Sequence, residues 1–314
     1  MGLTLFYILV FPGFLFLSTI SMIFEYIDRK LYARLQNRIG PPWYQPVADF
    51  IKLLTKETIV PKESGAHILF KAIPILALAA TATAFLCIPV WGKEAVYSFS
   101  SDLIVVLYFL TIPTLTFFLA GWFSSSLYAE LGAIRVMTQF FAYEVPLYMS
   151  VLGPALLAGT WSVSGVAEFY HANPLLALIN LPGLIVALFA TQGKLERVPF
   201  DIPDAETEIV GGTFTEYSGR FLGIFRLSID FELVVMSALI AAVFFPFFIP
   251  SNPIFGFLLF IVKILFVLFL LTLMRAALAR LRIDQMISFC WKILAPFSLF
   301  QVLIDLIAKG VLKP

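Results

Sequence analysis

Residues 233–262 read LVVMSALIAAVFFPFFIPSNPIFGFLLFIV and contain no charged residue. An apolar helix needs about 20 residues to cross the roughly 30 Å hydrocarbon layer of a membrane. A proline-rich cluster from Pro246 to Pro253, with Ser251 and Asn252 inside it, divides the stretch because a continuous helix does not tolerate such a cluster. The stretch therefore predicts parts of two transmembrane helices joined by a turn.

The composition of the whole chain also indicates a membrane protein. Of the 314 residues, 61% are hydrophobic and 13% are charged, and the mean hydropathy is +0.95. Soluble chains carry about a quarter charged residues, and a soluble core of this length could not hide so much apolar surface. The two cysteines, Cys87 and Cys290, form no spaced pair. A disulfide framework and a cysteine-ligated metal are therefore excluded, and we expect no cofactor in this chain.

The same length criterion, applied outward from residues 233–262, predicts an all-α membrane protein that forms a single polytopic domain over residues 1–314. The predicted transmembrane spans are 3–26, 72–92, 103–127, 141–160, 174–193, 230–249, 254–275 and 287–308. The segment Met1–Leu17 lacks a basic region and a cleavage site, so we interpret it as part of the first span and not as a cleavable signal.

The distribution of Lys and Arg predicts the orientation of the chain in the membrane. Nearly all basic residues lie in the connections that follow the first, third, fifth and seventh spans. Such residues stay on the cytoplasmic side. We therefore expect a multi-pass protein of the cell membrane with both termini outside. The two large cytoplasmic loops would be residues 28–71 and 194–226.

The first large loop contains an amphipathic pattern at residues 45–57. Its apolar residues recur at helical spacing, at Val47, Phe50, Ile51 and Leu54, whereas charged residues occupy the other side. This predicts a surface helix that either anchors the loop to lipid or forms a docking surface for a partner protein.

The second large loop is acidic. Between Glu196 and Glu216 it carries carboxylates that include Asp201, Asp204, Glu206 and Glu208. Clustered carboxylates repel one another, which raises the pKa of some of them and allows protons to be held near neutral pH. We regard these residues as candidate proton carriers; the alternative is an ordinary solvated acidic loop.

Ionisable residues within or near the predicted spans are further candidates. They are Glu144, Asp230, Glu232 and Lys263. A charge at membrane depth costs about 2.5–3.5 kcal/mol on insertion scales, so it usually has a partner and a function. The carboxylates lie near cytoplasmic ends and could instead extend to the membrane surface. Lys263 is too central for that, so we expect an internal carboxylate partner for it.

The sequence contains no glycine-rich phosphate loop, no nucleophile elbow and no metal-type histidine pair. We therefore expect no catalytic residue in this chain.

Several motifs together resemble one family. They are Arg29–Pro41 (RKLYARLQNRIGP), Gln45–Glu57 (QPVADFIKLLTKE), Glu144-Val-Pro146, Arg197–Glu208 (RVPFDIPDAETE) and Thr215–Gly219 (TEYSG). In this order they closely resemble subunit 1 of the complex I family, the H-type membrane subunit of NADH:quinone oxidoreductase. Members of that family have eight spans and a surface helix after the first.

The resemblance implies a coupling role in a respiratory complex. Subunits of this type join a peripheral redox arm to the membrane arm, line the quinone chamber and start a path of buried charges toward antiporter-like subunits. Carried over to this sequence, Arg34 and Arg38 would contact the peripheral arm, and the polar side of the surface helix, with Asp49 and Lys52, is a further candidate contact. The acidic loop would lie under the chamber, and Glu144 would continue the path.

Two departures from the family pattern favour one branch of it. Only Pro42, Trp43 and Tyr44 separate the RIGP and QP motifs, whereas the quinone-reducing members have a longer segment there. The family glutamate of the sixth span falls on Ile229, with Asp230 one position later. A short first loop resembles the membrane-bound [NiFe] hydrogenases and related ferredoxin-linked complexes.

The expected partners follow from this branch. They are hydrogenase-like large and small subunits with iron-sulfur clusters and a [NiFe] centre, antiporter-like and small membrane subunits, and the lipid bilayer, but no nucleic acid. Two alternatives stay open, a quinone-chamber subunit and a stand-alone secondary ion transporter.

Overall fold

The chain forms helices and no strands in the residues that the computed structural model describes, which are 2–61, 67–91, 94–203, 206–246 and 252–312. The helices are α1 (Gly2–Leu9), α2 (Phe14–Leu35), α3 (Gln45–Thr55), α4 (His67–Leu86), α5 (Asp102–Phe123), α6 (Leu127–Ala158), α7 (Val163–Ala172), α8 (Leu181–Lys194), α9 (Glu206–Ile209), α10 (Gly219–Phe244), α11 (Pro253–Ala277), α12 (Ile283–Phe289) and α13 (Ala295–Leu312). Short 3₁₀ helices cover Pro174–Asn180 and Gly212–Phe214, and a π-helical turn, Cys290–Leu294, joins α12 to α13.

Eight helical segments of the described residues are long and apolar enough to cross a membrane, which confirms the predicted number of spans and the all-α class. They are Thr4–Leu35, Ile68–Leu86, Asp102–Phe123, Leu127–Ala158, Pro174–Lys194, Gly219–Phe244, Pro253–Ala277 and Ile283–Val311. The predicted divider between the sixth and seventh spans lies largely at residues 247–251, outside the described residues.

Helix α10 lies at the centre of the bundle. Nearly every residue from Phe231 to Phe244 is buried, and α10 packs against α2, α3, α4 and α11. Helix α6 is the second organising element and packs against α5, α8 and α13. Because the apolar side chains of this stretch contact protein on all sides, Glu232 and Ser237 within it also lie in the protein interior.

Two helices begin earlier than the predicted fourth and sixth spans. Helix α6 begins at Leu127 instead of 141, and α10 begins at Gly219 instead of 230. At 32 and 26 residues, these helices are about 48 and 39 Å long, so they exceed the hydrocarbon layer and their charged first turns extend beyond it. Arg135 and Arg226 are consequently helical, and the acidic loop ends at Ser218.

The Thr215–Gly219 motif fixes the start of α10. Gly219 has a positive φ of 57°, and a Cβ there would lie 2.7 Å from the carbonyl oxygens of both Lys56 and Glu57. The ring of Tyr217 stacks on that of Phe70, with their centroids 4.0 Å apart, and its hydroxyl donates a hydrogen bond to the Phe70 carbonyl. The motif therefore holds the start of α10 against the residues that follow α3 and against the first turn of α4.

The surface helix predicted at residues 45–57 is α3, although its apolar side is divided. Phe50 and Leu53 turn inward, where Leu53 contacts Gly223 of α10. Val47 and Ile51 are exposed. Helix α10 therefore covers only part of the apolar side of α3, and the rest of that side is exposed in this chain.

Candidate functional site

A cavity of about 580 Å³ lies where the ends of α2, α3, α8, α10 and α11 meet the acidic loop. More than half of the residues that line it are ionisable. These are Glu25, Arg29, Asp49, Lys194, Glu196, Arg197, Asp201, Arg226, Asp230, Glu232, Arg275 and Arg280. The cavity lining is therefore mainly ionisable, with apolar patches from residues such as Phe50 and Phe214.

Asp28 of α2 is a junction between three parts of the chain. Its side chain is 1% exposed, and its Oδ2 accepts hydrogen bonds from Arg197 at 2.9 Å and from Arg275 of α11 at 3.0 Å. The Thr272 hydroxyl donates to Oδ1 at 2.7 Å. Asp28 thereby holds the start of the acidic loop against α2 and against the last turns of α11.

A second set of ion pairs continues from this junction to α3. Glu25 accepts a hydrogen bond from Arg29 one turn later and lies 3.6 Å from Arg197. Arg29 also donates to Asp49 of α3 at 3.0 Å. The charges of α2, α3 and the acidic loop therefore form one connected network.

Arg197 is the cation that links these groups. Burial alone would lower the pKa of its guanidinium, but the carboxylates of Asp28 and Glu25 raise it above its ordinary value. Arg197 consequently remains charged, and its position is set by two carboxylates of the same helix.

Lys194 and Glu232 form an ion pair in the interior. The Lys194 Nζ lies 3.0 Å from Oε1 of Glu232, and the two side chains are 1% and 0% exposed. Lys194 also donates hydrogen bonds to the Leu110 carbonyl and to the Thr114 hydroxyl. This pair closes the inner end of the cavity, which both residues line.

Glu144 of α6 lies next to this pair. Its side chain is buried, and its carboxylate oxygens make no hydrogen bond of ordinary geometry within the described part of the chain. It lies within electrostatic range of Lys194 and Glu232. The neighbouring Tyr143 bonds to Thr114 at 3.1 Å, and its ring centroid is 5.9 Å from the Lys194 ammonium. One lysine therefore serves two buried carboxylates.

The acidic loop is held in place by basic residues from both sides. Arg135 of α6 donates to Glu208 at 2.7 Å, and Arg280 lies 3.6 Å from the same carboxylate. The hydrogen bond from Arg135 and the two positive charges lower the pKa of Glu208. Glu208 is half-exposed, so its contact with Arg135 is at the surface.

The other predicted site residues lie at different places in the fold. Asp201 is half-buried and lines the cavity. Asp204 and the Glu206 side chain lie outside the described residues. Asp230 and Glu232, which were predicted to open a span, lie about three turns inside α10, because α10 begins at Gly219. The i, i+2 spacing predicts that the two side chains point in nearly opposite directions from the helix. Both nevertheless line the cavity, because the cavity extends around α10.

Lys263 and the predicted docking residues lie away from the inner pair. Lys263 is half-buried in α11, about 18 Å along the helix from Arg275. Arg34 and Arg38 are exposed at the end of α2 and just beyond it. Lys52 is also exposed, whereas Asp49 turns toward Arg29.

Sequence reasoning missed several residues of this site, namely Glu25, Asp28, Lys194, Arg197 and Arg275. They stood at predicted boundaries between spans and loops and were interpreted as solvated or as topology signals. A helix that extends past the membrane surface, as α2 does to Leu35, brings such residues into the protein interior.

Comparison with known proteins gives a consistent result. The family model described as NADH dehydrogenase matches residues 7–306. The chain is 35% identical over 306 residues to the H-type subunit of the NADH-quinone oxidoreductase of Dehalococcoides mccartyi, covering 95% of this chain and 84% of the relative. It is 36% identical over 302 residues to the corresponding subunit of Brevibacillus brevis, covering 89% and 85%.

A solved structure also resembles the chain over almost its whole length. This structure is that of a membrane-bound sulfane sulfur reductase, an archaeal respiratory membrane complex. The matching chain has a TM-score of 0.85 and 27% sequence identity, and the alignment covers 97% of this chain and 100% of the other.

Proposed function

Since the chain belongs to the NADH dehydrogenase family, that of the H-type membrane subunits of complex I-like respiratory complexes, we propose that it couples a peripheral redox module to ion translocation. The chain itself is not the catalyst. It anchors the redox module at its cytoplasmic face and transmits the consequence of electron transfer into the membrane. We also infer that it lies in the cell membrane with both termini outside.

The buried group formed by Lys194, Glu232 and Glu144 carries this proposal. A buried charge is stable only when it is paired, so one ammonium shared by two carboxylates has at least two arrangements of protons and ion pairs. Coupling between distant sites requires such a bistable element, which both sites can influence. The group adjoins the charged cavity on one side and the membrane interior on the other.

The signal would reach this group through the ion-pair network. A redox module docked at exposed Arg34 and Arg38 lies next to α3 and the acidic loop. A change in its charge or shape would displace Arg197 relative to Asp28 and Glu25, because the guanidinium binds both. The resulting change in potential at the cavity would shift protons among Asp201, Asp230 and Glu232, and Glu144 would pass the change sideways to antiporter-like partners.

We further propose a hydrogenase-type redox module with iron-sulfur clusters and a [NiFe] centre that oxidises ferredoxin and evolves hydrogen. The segment between α2 and α3 is short, and Trp43 and Tyr44 in it are exposed. Binding sites for small organic molecules are mostly apolar with few polar groups, whereas most residues that line this cavity are ionisable. The cavity lining therefore supports a branch of the family without quinone.

Purification of the native complex tests this proposal. We expect the chain to copurify with antiporter-like membrane subunits and with iron-sulfur proteins, of which the large subunit binds nickel. A monomeric chain that transports ions without companions would contradict the coupling role. An assembled complex without nickel would contradict only the hydrogenase assignment.

A quinone-chamber subunit is the second candidate, because the two bacterial relatives are named as parts of NADH-quinone oxidoreductases. A photoreactive quinone analogue distinguishes the two. Labelling near Trp43 or Phe221 that a natural quinone prevents would favour this candidate; absence of labelling would favour the hydrogenase branch.

A further inference from the structure

A second buried carboxylate group lies in the last span, far from the cavity. Asp305 of α13 is 0% exposed. The side-chain nitrogen of Gln301, one turn earlier, lies 3.0 Å from each Asp305 carboxylate oxygen. The same nitrogen lies 3.1 Å from Oδ1 of Asn180. Gln301 and Asn180 are also buried, at 0% and 2% exposed.

Helix α6 packs directly against this group. A Cβ on Gly153 would lie 2.7 Å from Oδ2 of Asp305, so the carboxylate rests against the backbone of α6. The hydroxyl of Tyr170 on α7 donates to the Pro154 carbonyl at 2.9 Å, so its hydrogen is already used. The group therefore sits among α6, α7, α13 and the 3₁₀ helix that precedes α8.

All of these residues lie near one end of the bundle. Gly153 is about one to two turns from the end of α6 at Ala158, and Asp305 is about two turns from the end of α13 at Leu312. The cavity is at the other end, where α8 finishes at Lys194 and α11 at Ala277. Asp305 thus lies nearer the end of the bundle that is opposite the cavity.

Around the Gln301 side-chain nitrogen, acceptors outnumber hydrogens. The Gln301 amide carries two hydrogens, but three oxygens surround its nitrogen. The amide oxygen of Gln301 is buried and has no hydrogen-bond partner within the described ranges. A buried acceptor without a donor is costly. One additional proton on Asp305 would supply the missing donor to Asn180 or to the rotated Gln301 amide.

We propose that Asp305 is a proton-exchange site of this chain that opens toward the membrane surface opposite the redox arm. As the neutral acid, its O–H donates to a neighbouring amide oxygen. When the O–H bond breaks, the proton passes to water at that surface, and the Gln301 amide hydrogens stabilise the carboxylate that remains. As a place of ion release this rests on the proposed coupling function, but the exchange itself does not.

Helix α6 passes both the Asp305 group and the inner group. Glu144 and Gly153 lie on this helix, about 14 Å apart along its axis. A Cβ on Gly183 of α8 would meet the Ser150 carbonyl of α6 and the Gln301 side chain of α13 at 3.4 and 3.3 Å. The glycine therefore allows α6, α8 and α13 to approach closely beside Asp305.

Tyr170 of α7 lies within electrostatic range of Asp305. The other titratable groups on the neighbouring elements are Glu168 and His171 on α7, Lys309 one turn further along α13, and Glu144 on α6. Within the described residues, the ion pairs closer than 4.0 Å do not include Asp305. The positive charge of Lys309 would favour release of the proton from Asp305 once water reaches the carboxyl group.

Labelling of the resting native complex with dicyclohexylcarbodiimide tests the exchange. This membrane-soluble reagent adds covalently to protonated buried carboxyls, and peptide mass spectrometry locates the product. We expect Asp305 to be labelled, with labelling that falls as the pH rises and that Na⁺ does not change. Loss of labelling in Na⁺ at constant pH would overturn the proton assignment in favour of a sodium site.

A spectroscopic measurement keeps the proposal testable if the reagent cannot reach Asp305. The infrared carbonyl band of a protonated carboxyl should shift in D₂O and should disappear in Asp305→Asn. If neither labelling nor this band is found, Asp305 is permanently ionised and the proposal fails. Neither measurement requires turnover, so their outcome is independent of whether the complex couples electron transfer to ion movement.

A matched variant separates exchange from structure. Asp102 is a second fully buried carboxylate, and it accepts from the Val163 N–H at 2.6 Å and from two serine hydroxyls. In vesicles, we expect the Asp305→Asn complex to assemble but to release fewer protons per electron pair than the native complex. We expect Asp102→Asn to lower the thermal stability and to leave the number of protons released per electron pair unchanged. Equal proton release in Asp305→Asn and the native complex would overturn the proposal.

Discussion

The Lys194 ammonium lies 3.0 Å from the carboxylate of Glu232, and the two side chains are 1% and 0% exposed. They come from α8 and α10, which are joined by the acidic loop. The pair therefore connects the two ends of the segment through which the proposed signal passes.

Removing one member of the Lys194–Glu232 pair should destabilise the protein far more than removing both. Lys194→Met or Glu232→Leu alone leaves an unpaired buried group, which costs about 3–5 kcal/mol of stability. The double variant Lys194→Met/Glu232→Leu should recover most of this loss, because no uncompensated charge remains. Chemical denaturation in detergent measures the difference.

The exposed Lys52 provides the control for this cycle. Lys52→Met should change stability by no more than about 1 kcal/mol, because surface pairs contribute little. If the losses of the two single variants simply add up in the double variant, Lys194 and Glu232 do not form an energetic pair.

Asp28→Asn should release the acidic loop from the membrane helices. The asparagine cannot balance Arg197 and Arg275, so we expect a loss of about 3–5 kcal/mol. Amide hydrogen exchange should accelerate around Arg197. Asp49→Asn, whose partner Arg29 is well exposed, should leave exchange there unchanged; equal protection in both variants would contradict the junction assigned to Asp28.

The contact between Glu208 and Arg135 should depend on pH. Because the hydrogen bond from Arg135 lowers the pKa of Glu208 in the folded chain, the contact stabilises the loop above the ordinary pKa of the carboxyl. The stabilisation from this contact should be lost as the pH falls through the lowered pKa of Glu208. Proteolysis of the loop should therefore rise at acidic pH, and Glu208→Gln should be cleaved similarly at every pH. A pH response that survives in Glu208→Gln would have another origin.

Gly219→Ala should destabilise the start of α10. The alanine would adopt a positive φ and would meet two carbonyl oxygens at 2.7 Å, which costs about 1–3 kcal/mol. Gly310→Ala on α13 is the control, because its Cβ has open space and alanine favours a helix. We expect opposite changes in thermal stability; equal changes would show that Gly219 is not constrained.

The sequence predicted the number of spans and the all-α class because apolar length alone determines them. It did not predict where α6 and α10 begin, since polar first turns such as Leu127–Arg135 resemble loops when tertiary contacts are unknown. Glycines at 121 and 132, which allow α6 to lie close to α5 and to the acidic loop, have no distinctive local pattern.

The candidate site was predicted in part. Glu144, Asp230 and Glu232 were identified because carboxylates near membrane depth are conspicuous, and Asp201 because it belongs to a cluster of carboxylates in a loop. Their basic partners were missed, because Lys194 and Arg197 follow an apolar run and resemble ordinary cytoplasmic flanking residues. Only the fold brings them beside carboxylates that are distant in sequence, as Arg197 is from Asp28.

The coupling role of the inner charged group is tested most directly by Glu144→Gln in the purified complex reconstituted in vesicles. Glutamine has nearly the same shape but cannot hold an exchangeable proton, and Glu130→Gln, at an exposed position of the same helix, is the matched control. We predict that Glu144→Gln loses ion movement per electron while electron transfer by the redox arm continues, and that Glu130→Gln keeps both. Ion movement in Glu144→Gln equal to that of the native complex would contradict the account.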